Sequence, residues 1–202
     1  MRWLSMRMAG AALLAAVAGG CGSTSGDDAM VLEFVGFDGA GIDQSDAVRE
    51  SSADVDVLQE ICPSGDSEPF TQTLINATFR NNEAADLHLQ QVVIAVGPSG
   101  SLATITHQIG GELRGGRCDN IDKQCALDAD CVSASSITPG NCVHTETTIR
   151  SILLFDSSDK QRFLSQQGTY NVTITFFAFD PVHDFETSTG YTVTFADFDN
   201  CP

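Results

Sequence analysis

The sequence predicts an all-β fold, on three observations. From Met30 to the end apolar residues recur, with interruptions, at a period of two. A single helical turn, at SDKQRFLSQQ, is the one exception to the lack of any helical period. Asp outnumbers Glu 19 to 8, and Asp suits turns because its carboxylate hydrogen-bonds the local backbone.

Each element follows from its pattern. VLEFVGF at 31–37 places Val31, Val35 and Phe37 on one face of a strand. The acidic stretch DGAGIDQSDAVRESSADVDVLQE reads as a surface excursion with one short edge strand around Val55 and Val57. TQTLINATFRN at 71–81 turns Ile75, Ala77 and Phe79 inward and Asn76, Thr78 and Arg80 outward. LHLQQVVIAVG at 87–97 changes phase near Gln91, the mark of a β-bulge. LATITH at 102–107 and TTIRSILLF at 147–155 are further strands. TYNVTITFFAF at 169–179 and TGYTVTFADF at 189–198 close the series, joined by DPVHDFETS.

A chain of 202 residues with 42% hydrophobic residues has room for one domain with a real core. It carries 27 acidic residues against 10 basic ones, for a formal charge of −17, and its only lysines are Lys123 and Lys160. A field of that sign repels phosphate backbones and anionic lipid headgroups, which excludes nucleic acid and charge-driven membrane docking. Partners are expected among cations, basic surfaces and neutral molecules, with a protein or glycan as the candidate ligand.

Residues 1–20, MRWLSMRMAGAALLAAVAGG, have a basic start at Arg2 and Arg7, an apolar stretch from Ala9 to Ala18 and a small-residue end. That is the layout of an export signal, and the apolar stretch is too short to span a bilayer. Ala18, Gly19 and Gly20 directly before Cys21 resemble the lipobox of bacterial lipoprotein signal peptides, with Ala18 where Leu is commonest. The resemblance implies that Cys21 is acylated on sulfur and becomes the new N-terminus. Gly22 lacks the aspartate that goes with inner-membrane retention, so the implied address is the bacterial cell envelope, by default the outer membrane. More than one acyl chain gives stable anchoring. The expected organisation is a signal peptide at 1–20, a lipidated cysteine and flexible tether at 21–29, and a domain at 30–202 with a cysteine-rich insertion at about 111–144.

QQGTYNVTI, where Gly168, Thr169 and Tyr170 lead into alternating apolar positions, resembles the tyrosine corner at the start of strand F in immunoglobulin-like domains. The resemblance implies an immunoglobulin-like antiparallel β-sandwich in which the Tyr170 hydroxyl bonds the backbone upstream. Val172 stands where antibody domains keep their second intersheet cysteine, and the only tryptophan, Trp3, lies in the signal segment. The chain is therefore not of the antibody type.

Taking Cys21 out of seven cysteines leaves an even set: Cys62, Cys118, Cys125, Cys131, Cys142 and Cys201. In an exported protein such a set reads as disulfides, although six cysteines allow fifteen pairings. Zinc cages favour C-x₂₋₄-C pairs, which the insertion GGRCDNIDKQCALDADCVSASSITPGNCVH lacks. Interleaved links, Cys118 with Cys131 and Cys125 with Cys142, would pin a loop almost without a core of its own, leaving Cys62 to Cys201. The same loop carries Asp119, Asp122, Asp128 and Asp130, a hard-oxygen set that could take calcium, although the D-x-D-x-D-G run of an EF-hand is missing. The other reading is a solvated loop with Asp-stabilised turns.

Four histidines occur, His88, His107, His144 and His183, without H-E-x-x-H spacing. G-x-S-x-G, a Walker A run and G-x-G-x-x-G are missing too. DPVHDFE gathers Asp180, His183, Asp184 and Glu186 on a strand-end loop, where binding residues often sit. These patterns point to a non-enzymatic, lipid-anchored envelope module for binding, adhesion or structure, with no cofactor beyond candidate calcium. The alternatives are an accessory subunit of a larger envelope or secretion complex, and a metal-dependent hydrolase on the strand-end loops.

Overall fold

The computed structural model describes residues 31–38, 46–68, 70–132 and 139–198, and they are mostly β-strand. β1 (Leu32–Asp38), β4 (Thr73–Asn81) and β9 (Glu146–Phe155) form one antiparallel sheet in the order β1-β4-β9. The second sheet runs β2 (Ala47–Val48), β3 (Ser52–Asp56), β11 (Asp184–Ala196), β10 (Gly168–Phe179), β5 (Leu87–Val96) and β6 (Ala103–Leu113). A ribbon of β7 (Arg117–Cys118) and β8 (Cys142–Val143) lies in the insertion.

The two sheets share one core. Ile75, Ala77 and Phe79 from the first are buried in the same cluster as Val92, Ile94, Ile174, Phe176, Val193 and Phe195 from the second. Phe79 meets Phe176 edge-on at 4.9 Å between ring centroids, Phe34 stacks on Phe176 at 6.0 Å, and Phe163 stacks on Phe195 at 4.0 Å. Each such side chain contributes about 1.5–3 kcal/mol by leaving water. The helical turn expected at SDKQRFLSQQ is α1 (Ser157–Arg162), between β9 and β10. Asp156 caps it: its carboxylate accepts from Asp159 N at 2.8 Å, and Asp159 returns the favour to Asp156 N at 3.2 Å. Phe163, the next residue, is buried.

Several elements differ from their sequence pattern. In β1 the register slips between Phe34 and Gly36, so Leu32, Phe34 and Phe37 pack on the core and Val35 is exposed. The bulge, invisible to polarity, breaks the face that Val31, Val35 and Phe37 were expected to share. Asn76, expected outward, is buried because its Oδ1 accepts from Ser151 N at 2.9 Å, at an irregularity of β9 where Ser151 has φ +56°. The strand around Val55 is not an edge, since β2 pairs outside it. Nor is every pairing antiparallel: β3 runs parallel to β11, from Ser52 opposite Thr192 to Asp56 opposite Ala196. The chain leaves the first sheet after β1 and joins the second beside its last strand, running the same way. The register shift between Leu89 and Gln91 bears out the expected bulge.

Candidate functional site

The most built-up feature outside the sheets is the cysteine-rich insertion. It leaves β6 after Leu113, whose burial in the core sets the boundary later than the expected 111. Gly115 and Gly116 make the exit: a Cβ on Gly115 would lie 2.2 Å from Ala84 O, and one on Gly116 2.4 Å from Cys125 O. Without side chains the backbone can close up, Gly116 N donating to Glu83 O at 2.8 Å and Cys125 N to Gly116 O at 2.9 Å. Asp86 accepts from Gly115 N at 2.8 Å, and the His144 ring sits 2.8 Å from Asn81 O and 3.2 Å from Ala126 O. The insertion is thereby fixed to the turn after β4.

Inside the insertion, disulfides join Cys118 to Cys131 and Cys125 to Cys142, with Cα separations of 5.4 and 5.8 Å. This is the interleaved pairing expected for pinning a loop with almost no core of its own. Cys118, Cys125 and Cys131 have sulfurs within 4.8 Å of one another, but each is spent in a disulfide and none is a thiolate. Cys62 is also disulfide-bonded, and its expected partner Cys201 lies outside the described residues. Cys21 and the signal segment lie outside them too.

The four aspartates do not gather as one ligand set, because three are committed to backbone amides. Asp119 accepts from Asn141 N at 2.8 Å and Asn141 Nδ2 at 3.0 Å, Asp130 from Ala126 N and Leu127 N at 3.0 Å each, and Asp128 from Cys142 N at 2.7 Å. The Asn141 amide holds the Asp119 carboxyl below the usual carboxylate range, and the Leu127 and Ala126 amides do the same for Asp130. Asp122 instead lines an open groove of about 670 Å³ between the insertion and the end of β6, with Asp86, Glu112, Arg114 and Arg117. Among the described residues the cysteines are the only three ligand-type side chains close enough to share an ion.

At the other end, β11 begins at Asp184, so the loop after β10 is only residues 180–183. Asp180 accepts from Val182 N at 2.7 Å and His183 N at 2.6 Å, bonds that hold its carboxyl below the usual range. His183 is exposed, with Nδ1 3.6 Å from Asp180 Oδ1, beyond the roughly 2.6–3.2 Å that proton transfer requires. Asp184 and Glu186 line a shallow groove of about 390 Å³ with Gln90, Gln91 and Phe177, and His183 is not part of that lining. The four residues therefore form a tight turn and a strand start.

Tyr170 donates its hydroxyl to Gln166 O at 2.9 Å, four residues upstream, and its ring lies 6.0 Å from that of Phe195. One feature has almost no trace in the sequence. Lys160 on α1 is fully buried with Nζ 2.6 Å from Asp46 Oδ2, also fully buried. Asp46 accepts from Asp56 N at 3.0 Å and from the Thr73 hydroxyl. Its only foreshadowing is the scarcity of lysine, Lys160 being one of two.

Among the described residues no helix is long and apolar enough to cross a membrane. No family model, curated protein or solved structure matches the chain.

Proposed function

We propose that this chain is an exported lipoprotein, anchored through Cys21 on the bacterial cell envelope, whose immunoglobulin-like domain serves as a non-enzymatic binding, adhesion or structural module. The observation that carries the reading is the pairing of the insertion's four cysteines, which belongs to an oxidising compartment. On the expected pairing of Cys62 with Cys201, Cys21 is the odd cysteine, standing where a lipobox ends. The immunoglobulin-like assignment is supported by the division of strands. β1, β4 and β9 form one sheet, with β5, β10 and β11 neighbours in the other, as A, B, E and C, F, G divide in that fold. The Tyr170 bond to Gln166 O stands at the corner before β10, the strand in the F position. For a module rather than an enzyme, the support is that His183 and its neighbouring carboxylates serve a turn, and that the groove beside them leaves His183 out.

A specific observation favours a second reading, an accessory subunit of an envelope complex. Leu127, Val132 and Val143 expose 66%, 62% and 46% of their surface on one stapled insertion, a concentration suited to docking. Crosslinking in intact cells with the native anchored protein, followed by capture, separates the two. Recovery of one stoichiometric protein partner, lost when Leu127 and Val132 become Ser, supports the subunit. Capture dominated by glycan or by several partners, unchanged in that variant, supports the free-standing module.

A further inference from the structure

We infer that Lys160 and Asp46 condense in the folded chain to an intramolecular amide, releasing water and clamping α1 to the segment before β2. Both side chains have no exposed surface, and Lys160 Nζ lies 2.6 Å from Asp46 Oδ2. An ordinary buried ion pair is tolerated when every proton and lone pair is used. Here, among the described residues, Nζ has no hydrogen bond of acceptable geometry, although it lies 2.6 Å from the carboxylate oxygen. The Phe70 ring lies beside the amine, 5.0 Å from Nζ to its centroid. The amine is thus held in close contact with the carboxyl group while its protons lack well-directed acceptors.

The carboxyl group is held as a substrate. Asp56 N donates to Oδ1 at 3.0 Å, and the Thr73 hydroxyl donates to Oδ2. In the first step a proton passes from the ammonium to Oδ2, leaving a carboxylic acid and an amine. Its lone pair attacks Cγ and a Cγ–Nζ bond forms. Negative charge on Oδ1 is met by the Asp56 N–H, an oxyanion donor already in place. A second proton leaves nitrogen for Oδ2, relayed through the Thr73 hydroxyl, which gives one and takes one. The Cγ–Oδ2 bond breaks with its electron pair, and water departs. Two protons from nitrogen and one carboxyl oxygen make that water; nothing is oxidised or reduced and no co-reactant enters. Holding the groups in contact replaces the activation that the same reaction would need in solution.

Trypsin provides the test, because it cuts after arginine, and after lysine only where the side-chain amine is free. The full chain is taken from cells, denatured, reduced, alkylated and digested. The expected result is loss of the peptide 151–160 and a branched species joining 151–162 to the peptide that ends at Arg49, lighter than the two together by one water. Asp46→Ala restores cleavage after Lys160, and Lys160→Arg removes the branched species. Stoichiometric release of 151–160 from the wild-type chain overturns the inference, whether or not any variant folds.

Discussion

Asp119, Asp130, Asp156 and Asp180 share one habit: each carboxylate accepts backbone N–H groups in a turn or cap, which holds it below the usual range. For Asp156 the largest cause is the Ser158 hydroxyl, donated at 2.7 Å. A carboxyl depressed in the folded state adds stability above its unfolded pKa and loses it as pH falls through the folded one. Urea midpoints should therefore rise with pH between about 2 and 5, and Asp130→Asn should flatten part of that limb. An unchanged acid limb in the variant would remove Asp130 from the set. Tyr170→Phe deletes the bond to Gln166 O while keeping the ring beside Phe195, and should cost about 0.5–1.5 kcal/mol in urea unfolding.

At the scale of elements, burial argues for the strands and covalent links for the insertion. Phe176, fully buried against Phe34, Phe37 and Phe79, should cost about 3–5 kcal/mol on replacement by Ala, read from the same unfolding curves. Replacing Cys125 and Cys142 together by Ser should cost about 2–4 kcal/mol, by giving the unfolded insertion back its freedom. The strand β4 was legible because Ile75, Ala77 and Phe79 alternate without a break, and the bulge at Gln91 because polarity itself changes phase there. The bulge in β1 was not, since Val35 is as apolar as the residues that stay inside. The partner of β3 was hidden for another reason: alternation says which face is buried and never which strand lies alongside. The interleaved disulfides were anticipated because a loop without a core needs pinning, not because spacing singles them out among fifteen pairings, and the aspartates between them were misjudged because a carboxylate that caps a turn and one that binds an ion look alike in sequence.

For the whole molecule, the acidic composition and the proposed membrane link have separate jobs. A net charge of −17 works against adsorption to anionic lipid, so the membrane attachment proposed above would rest on the covalent lipid. The pair formed by Lys160 and Asp46 was unreadable at this scale, since it joins a helix to a segment far earlier in the chain and neither residue belongs to a motif. The central claim rests on Cys21 as the acylated N-terminus. Mass spectrometry of the N-terminal peptide from membrane-extracted protein tests it most directly, with Cys21→Ser alongside. The account predicts a mature chain that begins at Cys21 and carries acyl groups, and a serine variant that stays an unacylated precursor. A chain cleaved elsewhere with an unmodified cysteine, or a variant processed and retained on the membrane as before, would contradict it.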